Sequence, residues 1–222
     1  MDSMKHSKKK YIEFLAIGII YLIIIFNLLF LKDSVIAAFS AFFGITYTFL
    51  AGKGNPKCYL FGIAGSGLYG WLALTNALWG NLCLYLLYYI PMQITGFFKW
   101  NQNLKEDKKE IIKSKLERKE CFIITIITLI LCSISICILY QMSDTSPIID
   151  GLTTILSIVG MYLTVKRAIE QWIIWSVVNG LTAIMWINIA ISGENVYSTV
   201  LMWVVYFVLA IYFYREWNRE VV

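Results

Sequence analysis

The chain reads as an all-α polytopic membrane protein with eight transmembrane helices, and three observations carry that reading. Hydrophobic residues fill 59% of its 222 positions and the mean hydropathy is +0.69, above the range of a soluble domain of this length. Eight stretches approach the roughly twenty apolar residues that an α-helix needs to cross the hydrocarbon layer. The cationic side chains, taken with those eight stretches, fall almost entirely on one face of the membrane.

The first span, 12–31, follows the basic tail MDSMKHSKKK. No small-residue cleavage pattern closes its apolar run, so it reads as a retained helix and not as a signal peptide. Spans 35–52 and 58–74 flank a short loop with Lys53 and Lys57. The fourth span, 78–100, contains Pro91, which removes a backbone donor and predicts a kink near midspan. Residues 101–119, NQNLKEDKKEIIKSKLERK, are the only long hydrophilic connection, and their mixed charges predict a solvated helical linker near anionic headgroups. Spans 120–140, 148–165, 172–191 and 197–217 complete the set.

An even number of spans puts both termini on one side. The tail lysines, Lys53, Lys57, the eight cationic residues of 99–119, Lys166, Arg167, Arg215 and Arg219 share that side, and only Lys32 lies opposite. The positive-inside rule therefore predicts cytoplasmic termini. The formal charge of +5 reflects this topology and is no evidence for nucleic-acid binding.

The halves on either side of the linker run in the same direction and echo each other. Lys53, Tyr59, Gly62, Ser66 and Gly67 align without gaps on Lys166, Trp172, Trp175, Asn179 and Gly180, while Tyr89 and Trp100 match Tyr206 and Trp217. Such echoes describe two parallel repeats with a solute site between them near the midplane. Spans two to four and six to eight form the repeats, and the fifth carries the chain back across.

The stretch QWIIWSVVNGLTAIMWIN, 171–188, places Trp172, Trp175, Asn179, Thr182 and Trp186 on one helical face. Flat aromatic surface there alternates with hydrogen-bonding groups, as a ring-bearing, hydroxylated solute would require. The fourth span adds Asn81, Tyr85, Tyr89 and Gln93. An unpartnered amide at the depth of Gln93 costs several kcal/mol, so it serves either as interhelical glue or as cavity lining. Gly62, Ser66 and Gly70 form a small-residue stripe that reads as helix packing. Trp71, Trp79, Trp100, Trp203 and Trp217 lie near span ends and read mostly as interfacial anchors.

Several classes are disfavoured. No Asp, Glu, Lys, Arg or His occupies the middle of a span, which argues against proton relays. There is no P-loop, no zinc-ligand cluster and no nucleophile with a base, so neither enzyme activity nor a metal or cofactor is expected. The five cysteines lack metal-ligand spacing and read as small core residues without a disulfide framework.

The run YYIPMQITGFFKW, 88–100, resembles the third core helix of the PnuC family of bacterial vitamin transporters: Tyr88 and Tyr89 supply its aromatic pair, and Gly96 and Trp100 match, while Thr95 and Phe97 depart from its Tyr and Trp. QWIIWSVVNG is similar to that family's sixth core helix, and the aromatic close through Arg219 to its last. The resemblance implies a SWEET-like three-plus-one-plus-three fold. Its parts would be an extra N-terminal helix over 1–33, triple-helix bundles over 34–100 and 147–222, the charged linker over 101–119 and a connecting helix over 120–140. It also implies an inner-membrane homotrimer that carries nicotinamide riboside by facilitated diffusion, the solute then being trapped by phosphorylation. Relatives carry thiamine or riboflavin, and Thr95 and Phe97 leave the choice of vitamin open. The substrate-binding set is Trp172, Trp175, Asn179, Gln93, Tyr89, Tyr85, Asn81 and Trp186. A membrane sensor or scaffold with the basic linker as its output surface is the competing class.

Overall fold

The computed structural model describes residues 2–75, 82, 84–107, 109–141 and 147–221. Its helices are α1 (Asp2–Phe30), α2 (Val35–Gly52), α3 (Cys58–Thr75), a π-helical stretch (Leu84–Tyr89) running into α4 (Ile90–Asn101), α5 (Arg118–Gln141), α6 (Pro147–Val165), α7 (Gln171–Ile191) and α8 (Tyr197–Val221). Six of them, α1, α2, α5, α6, α7 and α8, are long and apolar enough to cross a membrane. Large apolar side chains such as Leu22, Leu87, Phe122 and Ile191 face outward, as a lipid solvent permits. The protein is thus an all-helical, multi-pass membrane protein. Asn81, Trp79 and Cys83 lie outside the described residues; Cys58, Cys121, Cys132 and Cys137 are free thiols.

Packing is sequential within two groups and reciprocal between them. α3 packs on α2 and α4, and α7 packs on α6 and α8. Between the groups, α2 meets α8 and α4 meets α6. α5 lies on α6, whereas α1 covers α2 and α8. Each attachment of α1 satisfies a polar group that lipid would leave bare. The Tyr21 hydroxyl pairs with Thr46 at 2.7 Å, and the Glu13 carboxylate accepts from Lys53 and the Tyr212 hydroxyl. At the opposite end Asp33 accepts the Ser198 N–H at 2.6 Å, tying the α1–α2 turn to the first turn of α8.

The span around Pro91 is not one regular α-helix: a π-helical stretch runs directly into α4, and Pro91, which has no N–H to give to the turn before it, stands at that junction. A π turn has more than four residues, so Tyr85 and Tyr89 come to the same side, with ring centroids 4.8 Å apart.

The charged connection also differs from expectation. Residues 102–107 and 109–117 are irregular, not helical, and lie across both short helix–helix loops. Ile111 is fully buried and its N–H donates to the Gly54 carbonyl at 2.9 Å. The Ser114 N–H donates to Arg167 O at 3.0 Å, and Ile169 N–H returns to Ser114 O at 2.9 Å. Lys113 reaches Glu220 while lying over the Trp217 ring. Its backbone donors bond the Gly54 and Arg167 loops, so an internally bonded helix would leave those loop groups without partners.

Candidate solute site

Between the α2–α4 and α6–α8 groups lies a cavity with about 790 Å³ of empty space, counting what is open to the outside. α2 contributes a stripe of Ser40, Gly44, Tyr47, Thr48 and Ala51, whose three- and four-residue spacing puts them on one face. α3 adds Gly62, Gly65, Ser66 and Tyr69, and the π stretch with α4 adds Tyr85, Tyr89 and Gln93. Facing them are Met161 and Thr164 of α6, Gln171, Trp172, Trp175 and Asn179 of α7, and Met202, Trp203 and Tyr206 of α8. No described residue of α1 or α5 lines it.

Gly44 and Gly62 keep this space open. A Cβ on Gly44 would run into the Tyr206 hydroxyl, and one on Gly62 would come 2.8 Å from the Tyr47 ring and 3.1 Å from Gln93 Cδ. The polar groups are only half satisfied by protein. Gln93 Nε2 donates to Ser66 Oγ at 2.9 Å, whereas its Oε1, buried beside the cavity, has no partner. The indole N–H groups of Trp172 and Trp203 are likewise buried without an acceptor. Trp175 Nε1 donates to Thr164 Oγ1 at 3.0 Å, which fixes its ring plane. Tyr89 meets that ring edge-on at 6.5 Å. Buried polar atoms left open cost free energy, and a solute in the cavity would supply them with partners.

The end of the cavity nearest the Lys53 and Lys166 loops is closed by aromatic packing. Trp100 and Trp217 are wholly buried, with centroids 6.5 Å apart. Trp100 Nε1 donates to Thr164 O of α6 at 2.9 Å, and Trp217 Nε1 to Gly52 O of α2 at 2.7 Å. Each last helix thereby bonds the first helix of the other group. Tyr59 lies edge-on to Trp100 at 5.0 Å, and Trp172 edge-on to Trp217 at 5.5 Å.

Six of the eight expected site residues, Trp172, Trp175, Asn179, Gln93, Tyr89 and Tyr85, come together on the cavity wall. Trp186 does not: it lies off the wall, directed at Tyr69. Asn81 lies outside the described residues. Two other readings change. Gly62 and Ser66 line the cavity, Gly62 while also packing against Tyr47, and Gly70 packs against Leu86. Trp203 is a wall residue, and Trp100 and Trp217 are interior closures, so none of the three is a lipid-facing anchor; Trp71 is about half exposed. The α2 stripe went unnoticed, although its small and polar spacing was visible. Tyr206 could have been found as the repeat partner of Tyr89. Thr95 is exposed and Phe97 only half-buried, and neither lines the cavity.

A multi-pass helical protein that encloses a polar-aromatic cavity without a catalytic group is organised as a solute transporter. Comparison with known proteins supplies the particular family. The family described as Nicotinamide mononucleotide transporter matches residues 34–219, and the chain belongs to it. It is 32% identical over 210 residues to the nicotinamide riboside transporter PnuC of Neisseria mucosa, covering 92% of this chain and 78% of the relative. Against the nicotinamide riboside transporter PnuC of Haemophilus influenzae the identity is 27% over 191 residues, covering 85% and 81%. The crystal structure of a vitamin B3 transporter PnuC superposes with a TM-score of 0.80 at 30% identity, over 94% of this chain and 89% of that one. The family is one of transporters, not enzymes.

Proposed function

We propose that the chain carries nicotinamide riboside across the membrane by facilitated diffusion, binding it between the α2–α4 and α6–α8 groups. The observation that carries this reading is a cavity between those groups in which Gln93 Oε1 and the Trp172 and Trp203 N–H groups are open, and which no charged side chain lines among the described residues. The Trp172 and Trp175 faces stack the nicotinamide ring, while Asn179 and Gln93 bond its amide or the ribose hydroxyls. The same wall favours the riboside of the relatives' names over the mononucleotide of the family's description. A phosphate dianion would enter without a Lys or Arg to meet it.

Two triple-helix bundles of the SWEET-like kind, with eight spans in all, are supported by the sequential packing within each group and the reciprocal α2–α8 and α4–α6 contacts. The sidedness of the lysines supports cytoplasmic termini in a bacterial inner membrane. The aromatic closure then shuts the cavity to the cytoplasm, and rocking of the bundles about it exposes the solute alternately. Homotrimeric assembly and trapping of the riboside by intracellular phosphorylation rest on the family resemblance. Titration of the purified protein with the riboside, the mononucleotide, thiamine and riboflavin tests the substrate. Selective binding of the riboside supports the proposal, and selective binding of another of the four overturns it.

A further inference from the structure

Charge is the feature of the cavity that the binding account leaves unused. Among the described residues no Asp, Glu, His, Lys or Arg lines it, and the sequence has none in 14–31, 34–52, 58–98, 121–143, 151–165, 171–193 or 195–214. Two carboxylates that border these stretches and are drawn into the helix packing are engaged elsewhere. Glu13 holds Lys53 and Tyr212, and Asp33 accepts the N–H groups of Ser34 and Ser198. Neither carboxylate touches the cavity. A moving bundle therefore carries no fixed charge of its own through the hydrocarbon layer.

Oxidised nicotinamide riboside is an N-ribosylated pyridinium, a permanent cation over the whole physiological pH range. Resting on the proposed riboside transport, we infer that the carrier is electrogenic: each inward crossing moves one uncompensated positive charge, so the membrane potential drives accumulation. A cation can be held here without a carboxylate. Trp172, Trp175, Tyr85 and Tyr89 offer cation–π attraction on the cavity wall, and the open Gln93 Oε1 is a dipole end of the right sign. One charge crossing the full potential is worth about 2.3 kcal/mol per 100 mV. That converts to about tenfold accumulation for each 60 mV, interior negative.

The test uses the full chain in proteoliposomes with potassium gradients and valinomycin to set the potential, and labelled riboside as the probe. The expected result is an inside-to-outside ratio of about ten at 60 mV and about one hundred at 120 mV, collapsing to one when potassium is equalised. Exchange of labelled for unlabelled riboside moves no net charge and should proceed in every condition. Intact exchange with a ratio that ignores the potential would overturn the inference, since a compensating ion would then accompany each turnover. Loss of both exchange and riboside binding would overturn the transport reading itself.

Discussion

The α2–α4 and α6–α8 groups share their closures and differ in their walls. Trp100 and Trp217 make the same bond to the opposite group, and Tyr59 and Trp172 take the same edge-on place beside them. Gly54 and Arg167, which occupy matching positions after α2 and α6, both have φ near +65°, at 67° and 63°. Glycine adopts that conformation freely, whereas the arginine is strained there by about 1 kcal/mol. Its guanidinium donates to Ile112 O at 3.0 Å, a bond that offsets the strain and ties the loop to the linker. Over the cavity the likeness ends. Where α7 presents Trp175 and Asn179, α3 presents Gly62 and Ser66. A framework that must close symmetrically keeps its symmetry, while a site for an asymmetric solute has one wall whose rings are tyrosines interleaved with small residues and one that carries three tryptophans.

Making the two groups alike should break this arrangement in proportion to the packing disturbed. The largest effect is expected for Gly96→Phe, which copies Phe213 into the first group. The Cβ of residue 96 would already overlap the Tyr59 ring, so thermal melting in detergent should show destabilisation of about 3 kcal/mol or failure to fold. Trp172→Ala should weaken riboside binding by about a hundredfold, through lost stacking and cation–π surface. Trp172→Phe keeps a ring and should cost about tenfold; equal losses in a calorimetric titration would place the effect in the indole N–H, which both variants lack, and not in stacking surface.

Asn179→Ala is expected to cost about tenfold in affinity, and Ser66→Ala, which acts only by orienting Gln93, about threefold. The reverse order would assign direct contact to the α3 wall. Trp100→Phe and Trp217→Phe each remove one buried hydrogen bond, worth about 1 kcal/mol, and should open the lysine-bearing end to a similar extent. Hydrogen exchange at the ends of α2 and α6 measures this, and unequal opening would mean that the closures are not equivalent. The smallest effect is expected from pH. The ionisable groups on the wall are tyrosines, which stay neutral far below their usual pKa of about 10, so affinity should change less than about twofold from pH 5 to 8.

Hydropathy and lysine placement alone determined the helical class, the order of the spans and the expected sidedness, because lipid and the positive-inside rule act on local composition. The face formed by Trp172, Trp175 and Asn179 was legible for the same reason: helical periodicity is a local property. Tertiary structure decided which apolar surfaces meet lipid and which meet protein. Both environments favour the same residues, so Trp100, Trp203 and Trp217 could not be told from interfacial anchors, nor Gly62 and Ser66 from a packing stripe. The course of residues 102–117 was likewise illegible, since their partners, Gly54 and Arg167, lie in two distant loops that only the folded chain brings beside them.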